Sequence, residues 1–163
     1  MVLLLANMYA LPFDYITRQK AQTTHLIWYI LEQLPVIAPE SFKQSIGGVK
    51  IADFIRAQLL ALTYTAHDMA PLARDMGYVF ERGPQQGEVR PPFVWNDEDR
   101  RQRMEALDGL FFHLYGLDAD DPAYVLDTFP IVRDQDIKAF GRYRTEDAVL
   151  AQLAQVESGR LTL

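Results

Sequence analysis

The chain of 163 residues contains no cysteine. Disulfide bonds, thiolate metal sites and a cysteine nucleophile are therefore excluded. Because such a chain suits a reducing compartment, we predict a cytoplasmic protein. Apolar residues make up 49% of the sequence and aromatic residues 12%, which is enough for a hydrophobic core and excludes disorder as the general state.

The chain also lacks an excess of positive charge, with 16 Lys and Arg against 22 Asp and Glu. Residues 1–80 carry six basic and six acidic side chains, so the net charge of −6 lies entirely in residues 81–163. A protein that coats DNA needs Lys and Arg clustered on one face. Any contact with DNA must therefore be local.

Long hydrophobic runs are missing as well. The longest apolar stretch near the start covers residues 2–6, has no basic leader and soon meets Asn7 and Pro12. It is shorter than a signal-peptide core and far shorter than the roughly 20 residues that span a bilayer. We predict a soluble protein with no membrane segment.

Patterns typical of catalysis are absent too. No serine has the surroundings of a nucleophile elbow, and Gly47-Gly48 alone does not make a phosphate loop. The histidines lie too far apart to form a helical metal pair: they are His25, His67 and His113. An acidic cluster, Asp118, Asp120 and Asp121, lacks the glycine and distal glutamate of an EF-hand loop. We predict no catalytic, metal-binding or cofactor-binding residue in this chain.

What the sequence does contain is helical periodicity. Residues 2–19 are apolar on nearly all sides, which predicts a buried helix that Pro12 kinks or restarts. Similar patterns predict helices within 50–69, 71–76, 97–115, 121–129, 133–140 and 145–158, and residues 26–34 favour helix over strand. We therefore predict a mainly α fold of six or seven helices, a compact multi-helix module with at most one or two short strands near residues 26–38.

Capping residues and loop composition divide the chain. Asn96 and Asp121 are predicted N-caps, Thr23 or Thr24 is predicted to cap the helix after residue 25, and Gly159 ends the last helix. Residues 81–95 are rich in Gly and Pro and predict a surface loop. We place one region at residues 1–40 and a helical module at residues 41–163.

Two groups of arginines deserve separate interpretations. Arg100, Arg101 and Arg103 follow an acidic first turn, so ion pairs on the helix surface explain them best. Arg142 and Arg144 flank a tyrosine, and arginine beside an aromatic ring can contact phosphates or bases. Packing of these arginines on a neighbouring element is an equally good interpretation.

Three separated blocks of sequence carry a resemblance to a known family. The first is FDYITRQK at residues 13–20, with THL at 24–26 and EQLPV at 32–36. The second is LTYTAHDM at 62–69 with DMGY at 75–78. The third is LFFHLYGL at 110–117, YVLDTFPIV at 124–132 and FGRYRT at 140–145. In order and spacing these blocks resemble the C-terminal region of Eco57I-like, type IIG-like restriction-modification enzymes, which are adenine-specific DNA methyltransferases.

The chain departs from that family in two respects. Gln22-Thr23 stands where the family usually has a glycine before Thr-His. The family's S-adenosylmethionine-binding glycine loop and its Asn-Pro-Pro-Tyr/Phe motif have no counterpart, since the two prolines at 91–92 follow Arg90. The resemblance therefore implies a fragment of a larger enzyme, with S-adenosylmethionine bound in its upstream methyltransferase domain and methyl transfer catalysed there.

The resemblance implies a role in DNA recognition for this chain, with residues 1–40 closing a target-recognition region. As DNA-contacting residues we predict Arg18, Lys20, Thr24 and His25 first, and Arg142 and Arg144 second. The expected partners are double-stranded DNA and the upstream methyltransferase domain, and the isolated chain could form a homo-oligomer. The alternative is a stand-alone helical protein-protein interaction module with no DNA role.

Overall fold

The structure is a computed structural model that describes residues 1–21, 26–117 and 120–162. Its helices are α1 (Val2–Tyr9), α2 (Leu11–Lys20), α3 (Trp28–Leu31), α4 (Ile51–Thr63), α5 (Ala70–Asp75), α6 (Asp97–Leu114), α7 (Asp121–Asp127), α8 (Pro130–Phe140) and α9 (Arg144–Glu157). The strands are β1 (Ser45–Ile46) and β2 (Val49–Lys50), which pair antiparallel. Two 3-10 turns lie at Ser41–Lys43 and His67–Met69.

The mainly α prediction is confirmed, with nine helices in the described residues against the six or seven predicted. Part of the difference lies at the start of the chain. Ala10 has extended backbone angles and ends α1, and α2 then begins with Pro12 in its first turn. Proline is tolerated there because the first backbone N–H groups of a helix have no acceptor within the helix. The proline restart was therefore predicted correctly.

We predicted the short strands near residues 26–38, but both lie further along the chain, at Ser45–Ile46 and Val49–Lys50. Residues 28–31 form α3 instead, and Pro35 and Pro39 remove backbone donors from the segment that follows. The hairpin forms at Gly47 and Gly48, whose φ angles of 57° and 82° are both positive. Two consecutive residues with positive φ are what a type I′ hairpin turn requires, and glycine supplies them without strain.

Two of the predicted helix caps can be compared with the structure. Asn96 is confirmed, since its side chain accepts a hydrogen bond from the Asp99 N–H at 2.9 Å. Asp121 is wrong as a cap, because it is the first residue of α7 and Asp120 precedes the helix. Pro122 is tolerated at either of the first two positions, so proline alone did not fix the start. Thr23 and Thr24 lie outside the described residues.

Helix α6 is the centre of the molecule. Its residues Leu110, Phe111 and Phe112 have no exposed surface. One apolar cluster joins α6 to α1, α4 and the end of α9, and a second joins it to α7 and the middle of α9. A third cluster lies around Tyr64, between α4, α5 and the loop that precedes α6. Within the described parts of the chain, no helix is long and apolar enough to cross a membrane.

Candidate nucleic-acid interface

The first and third blocks of the family resemblance meet in space. Helix α2 carries the first block and packs against α7, which carries part of the third. The rings of Tyr15 and Tyr124 meet edge to face with centroids 6.3 Å apart. Leu11 and Tyr15 also pack on the apolar cluster that contains Phe112 and Phe129. Two segments about 100 positions apart in the chain therefore build one surface.

Arg18 lies on this surface in a fixed position. Its Nε and Nη2 donate to the two carboxylate oxygens of Asp14, one turn earlier in α2, at 3.1 and 2.7 Å. Its Cζ atom lies 4.7 Å from the centroid of the Phe129 ring. A bidentate ion pair and an aromatic face together orient the planar guanidinium, although its side chain remains 58% exposed. Arg18 is therefore ordered and exposed, and its positive charge is balanced locally by the Asp14 carboxylate.

Lys20 follows in the last turn of α2 and is exposed. It forms no ion pair with the described residues. A cation in the last turn also interacts favourably with the negative end of the helix dipole. Thr24 and His25, which complete the first set of predicted DNA contacts, lie outside the residues that the structure describes.

Arg142 and Arg144 follow the C-terminal end of α8. Arg142 is exposed and pairs with Asp147 at 3.2 Å. Arg144 is more enclosed: both of its terminal nitrogens donate to the carboxylate of Glu98 on α6, and its Cζ lies 5.0 Å from the centroid of the Phe140 ring. These contacts match the packing interpretation of Arg144, and they tie the start of α9 to the start of α6.

The hydrogen bonds between Arg144 and Glu98 shift the pKa values of both groups. Hydrogen bonding from Arg144 lowers the pKa of the Glu98 carboxyl, and the same bonds raise the pKa of the Arg144 guanidinium. A backbone contact supports the arrangement, since the Thr145 N–H donates to the buried carboxylate of Asp136 at 2.6 Å. For Arg144 to contact a phosphate, the phosphate would have to replace Glu98.

The two sets of predicted basic contacts do not form one patch. Arg18 stacks on Phe129, just before α8, whereas Arg144 stacks on Phe140, its last residue. Eleven helical residues span about 16 Å, so the two arginines lie at opposite ends of that helix. Arg133, which lies between them, is paired with Asp127 at 2.8 Å. The surface along α8 therefore has mixed charge.

A groove of about 530 Å³ runs between α6 and α8. Arg100 and Arg101 line it, and so do Asp97 and Asp136. Most of the positive charge is already engaged, because Arg100 donates to the Leu62 carbonyl at 2.8 Å and Arg101 pairs with Glu98 at 3.5 Å. The groove therefore has no net preference for an anion.

The ion-pair interpretation of Arg100, Arg101 and Arg103 is confirmed for two of the three. Arg103 binds both carboxylate oxygens of Asp99, at 2.8 and 2.9 Å, and Arg101 pairs with Glu98. Arg100 instead binds a backbone carbonyl and lies over the Trp95 ring at 3.8 Å. All three are occupied within the chain.

The second block of the resemblance lies apart from this surface and is structural in its contacts. The Tyr64 side chain is buried, and its hydroxyl donates to the Arg90 carbonyl at 2.9 Å. Tyr78 stacks on Phe93 with centroids 5.0 Å apart. This block fixes the 81–95 loop to α4. The loop is largely exposed, as predicted, and is closed by an antiparallel bridge between Val79 and Val89.

Sequence reasoning missed two acidic side chains buried on α6, Asp108 and Glu105. Asp108 accepts a hydrogen bond from the Leu11 N–H at 2.8 Å, at the start of α2. Burial raises the pKa of Asp108 to about 7, and burial also raises the pKa of Glu105. One Glu105 oxygen, Oε1, is buried and has no hydrogen-bond partner among the described residues. Asp108 thus anchors the start of α2, and its position on an otherwise apolar face was the only available signal.

No family model, curated protein or solved structure matches this chain. No group of three or more acidic, histidine or cysteine side chains within the described residues is arranged to hold a metal ion. The candidate interface is therefore the exposed end of α2, where Arg18 and Lys20 lie beside the α2–α7 contact.

Proposed function

We propose that this chain is the C-terminal DNA-recognition and structural segment of an N6-adenine DNA methyltransferase of a restriction-modification or phage-defence system. Its partners are double-stranded DNA, contacted within the full-length protein, and the upstream methyltransferase domain. S-adenosylmethionine binding, base flipping and methyl transfer take place in that upstream domain. The chain by itself is inactive as a methyltransferase.

The meeting of the first and third sequence blocks carries this proposal. Edge-to-face contact of Tyr15 with Tyr124 and stacking of Arg18 on Phe129 join the two blocks in the fold. Because Arg18 is held by Asp14 and Phe129, little side-chain freedom remains to be lost when it binds a phosphate. Arg18 and Lys20 together give the local contact that an acidic protein needs.

The test of the DNA contact is the salt dependence of binding. In the full-length enzyme, replacing Arg18 and Lys20 together with Ala should reduce the slope of log K against log salt by about 1.8, since each lost phosphate contact removes about 0.9. Fluorescence anisotropy with a labelled duplex measures this slope. The matched control replaces Lys43 and Lys50, two exposed lysines at the β-hairpin. An unchanged slope in the Arg18 and Lys20 variant would remove these residues from the interface.

Membership of a larger enzyme has a separate test. An antibody raised against this chain should detect a native product several times larger than 18.7 kDa in source cells. A native product of 18.7 kDa would exclude the methyltransferase proposal and leave the resemblance as ancestry.

A second candidate is a stand-alone helical protein-protein interaction module with no DNA role. The engagement of Arg144 by Glu98 and the acidic second half of the chain favour it. The two candidates differ in DNA binding at low salt, which this module would not show.

A further inference from the structure

Helix α1 carries apolar side chains on its outer as well as its inner side. Leu4, Leu5, Met8 and Tyr9 are 40–61% exposed and follow i, i+4 spacing, so they form one stripe along the helix. The stretch 26–29 lies nearby and is 48–71% exposed. We call these side chains, with Val36, the N-terminal apolar face.

Two shallow depressions lie within the N-terminal apolar face, one on each side of α1. Leu4 and Met8 line one side of a depression of about 310 Å³, and Trp28 and Val36 line the other. On the far side of α1, Leu5 and Tyr9 border a second depression of about 250 Å³ against α4. The stripe on α1 is thus a ridge between two shallow apolar hollows, a shape that a complementary ridge and hollow can fill.

The orientation of α1 about its own axis is fixed from the inside. Asn7 is 1% exposed, its Nδ2 donates to the Tyr115 hydroxyl at 2.7 Å, and its Oδ1 accepts from the Ile37 N–H at 2.8 Å. Tyr115 in turn donates to the Pro35 carbonyl at 2.9 Å. These bonds allow only one face of α1 to point inward, so the stripe must point outward.

The area of this face exceeds what monomers usually expose. With roughly 200 Å² for a fully exposed large apolar side chain, the face presents on the order of 1,000 Å². The largest apolar patch on a typical monomer is about 300–600 Å², and a stable interface buries about 800 Å² on each partner. One copy of the face is therefore large enough for a stable interface.

Charge favours a second copy as the occupant. Neither α1 nor residues 26–31 contains a charged side chain, while the chain as a whole carries −6. Most faces of two copies would repel each other. A two-fold arrangement that sets this face against itself instead brings apolar surfaces together, and the charged side chains at their borders are Glu32 at one hollow and Arg100 at the other. The indole N–H of Trp28 already donates to Glu32 at 2.6 Å, so burial of Trp28 leaves no unpaired donor.

We propose that the N-terminal apolar face is a two-fold interface through which the chain forms a homodimer. The proposal concerns the chain itself and does not depend on the DNA contact above. Failure of the dimer proposal and failure of the DNA-contact proposal are distinguishable. The dimer is tested by molecular mass, and the DNA contact is tested by the salt dependence of binding.

The test is the molecular mass of the chain across a range of concentrations, by sedimentation or light scattering. The wild type should have twice the monomer mass of 18.7 kDa at high concentration and approach 18.7 kDa on dilution. Leu4→Glu with Met8→Glu should remain at the monomer mass throughout. The control is Val94→Glu, a position 89% exposed in the 81–95 loop, which should dimerise like the wild type.

A second measurement uses no charged substitution. Trp95→Phe leaves Trp28 as the remaining tryptophan. If Trp28 is buried between copies, its emission should shift to longer wavelength on dilution, over the range in which the mass falls. A monomer at all concentrations would overturn the proposal and assign the face to a different partner. The proposal would also be overturned if the Leu4 and Met8 double variant still dimerised, or if the Trp28 emission wavelength did not change on dilution.

Discussion

At the scale of single residues, the buried carboxylate of Asp108 sets a dependence of stability on pH. Asp108 lies on α6 beneath the start of α2 and accepts one backbone hydrogen bond, from Leu11. Removal from water disfavours its charged form, and the nearby Glu105 carboxylate acts in the same direction. The folded protein therefore holds a proton on Asp108 up to a pH of about 7.

The sign of the effect follows from proton binding. An unfolded aspartate releases its proton near pH 4, so between about pH 4 and pH 7 the native state binds more protons than the unfolded state. Stability is then highest at the acidic end of this window and falls as the pH rises through it. With about 1.4 kcal/mol for each unit of pKa difference, the loss is roughly 3 to 4 kcal/mol. Glu105, whose pKa is also raised, adds to it.

Asp108→Asn should remove most of this pH dependence. The amide oxygen still accepts from Leu11, and no buried charge develops, so we expect the variant to exceed the wild type by about 3 kcal/mol at pH 8 and to match it near pH 4. Urea unfolding at a series of pH values measures this. Asp75→Asn, an exposed change in α5, should follow the wild-type curve. A variant that retains the wild-type slope would show that Asp108 is not the titrating group.

At the scale of elements, α6 and α9 approach each other closely at Gly109. A Cβ atom there would lie 2.7 Å from the Gln152 Cβ and 2.9 Å from the Leu153 backbone nitrogen. Contacts this short do not occur between such atoms, and the Leu153 backbone yields only if α9 moves. Glycine is therefore required here for helix packing, although it lowers intrinsic helix stability.

Gly109→Ala should destabilise the protein in spite of its better helix propensity. Alanine favours the helix by about 1 kcal/mol, whereas overpacking of this kind costs about 1–3 kcal/mol and forces α6 and α9 apart. We expect a net loss in urea unfolding, and a larger loss for Gly109→Ser. A gain in stability for the alanine variant would mean that the helices are further apart than the structure shows.

Most helices could be predicted from the sequence because the apolar periodicity agreed with the positions of capping residues and prolines. Asn96 before three acidic residues, and Pro12 after an apolar run, marked boundaries that the fold keeps. The strands could not be placed, since Gly47-Gly48 indicates a turn but flanking segments of two residues each are too short to predict strand pairing. The start of α7 was predicted one residue too late, because aspartate is favoured as a cap at position 120 and at position 121 alike.

At the scale of the whole molecule, Asn7 joins parts of the chain that are far apart in sequence. Its side chain links α1 to Tyr115, just after α6, and to Ile37. Asn7 itself is buried and both bonds are partly sheltered from water, so removal of the amide leaves their partners poorly satisfied. The position of α1 therefore depends in part on one buried amide.

Asn7→Ala should cost about 2–3 kcal/mol of unfolding free energy, since it leaves the partly buried Ile37 N–H without its acceptor and leaves a space where the buried amide was. Asn96→Ala, which removes an exposed helix cap, should cost only about 1 kcal/mol. Urea unfolding compares the two. Hydrogen exchange at the Ile37 amide should also accelerate in the Asn7 variant alone. If the two variants lose equal stability, Asn7 does not anchor α1.

The candidate interface could be predicted only in part. The spacing of Asp14 and Arg18, four residues apart on one helix, was visible in the sequence and indicates an ion pair. The stacking of Arg18 on Phe129 was not, because 111 positions separate the two residues and only the packing of α2 on α7 brings them together. The role of Glu98 as the partner of Arg144 was hidden for the same reason.

The distance along the chain between Asn7 and its partner also has a consequence during synthesis. Tyr115 is translated 108 positions after Asn7, and Asp108 follows Leu11 by 97 positions. At a synthesis rate of about 5–20 residues per second, the α6 residues that position α1 and α2 are added roughly 5 to 20 s after those two helices. Until α6 emerges, α1 lacks its hydrogen bond to Tyr115 and α2 lacks its hydrogen bond to Asp108. The docking of α1 and α2 is thus completed only after α6 has left the ribosome.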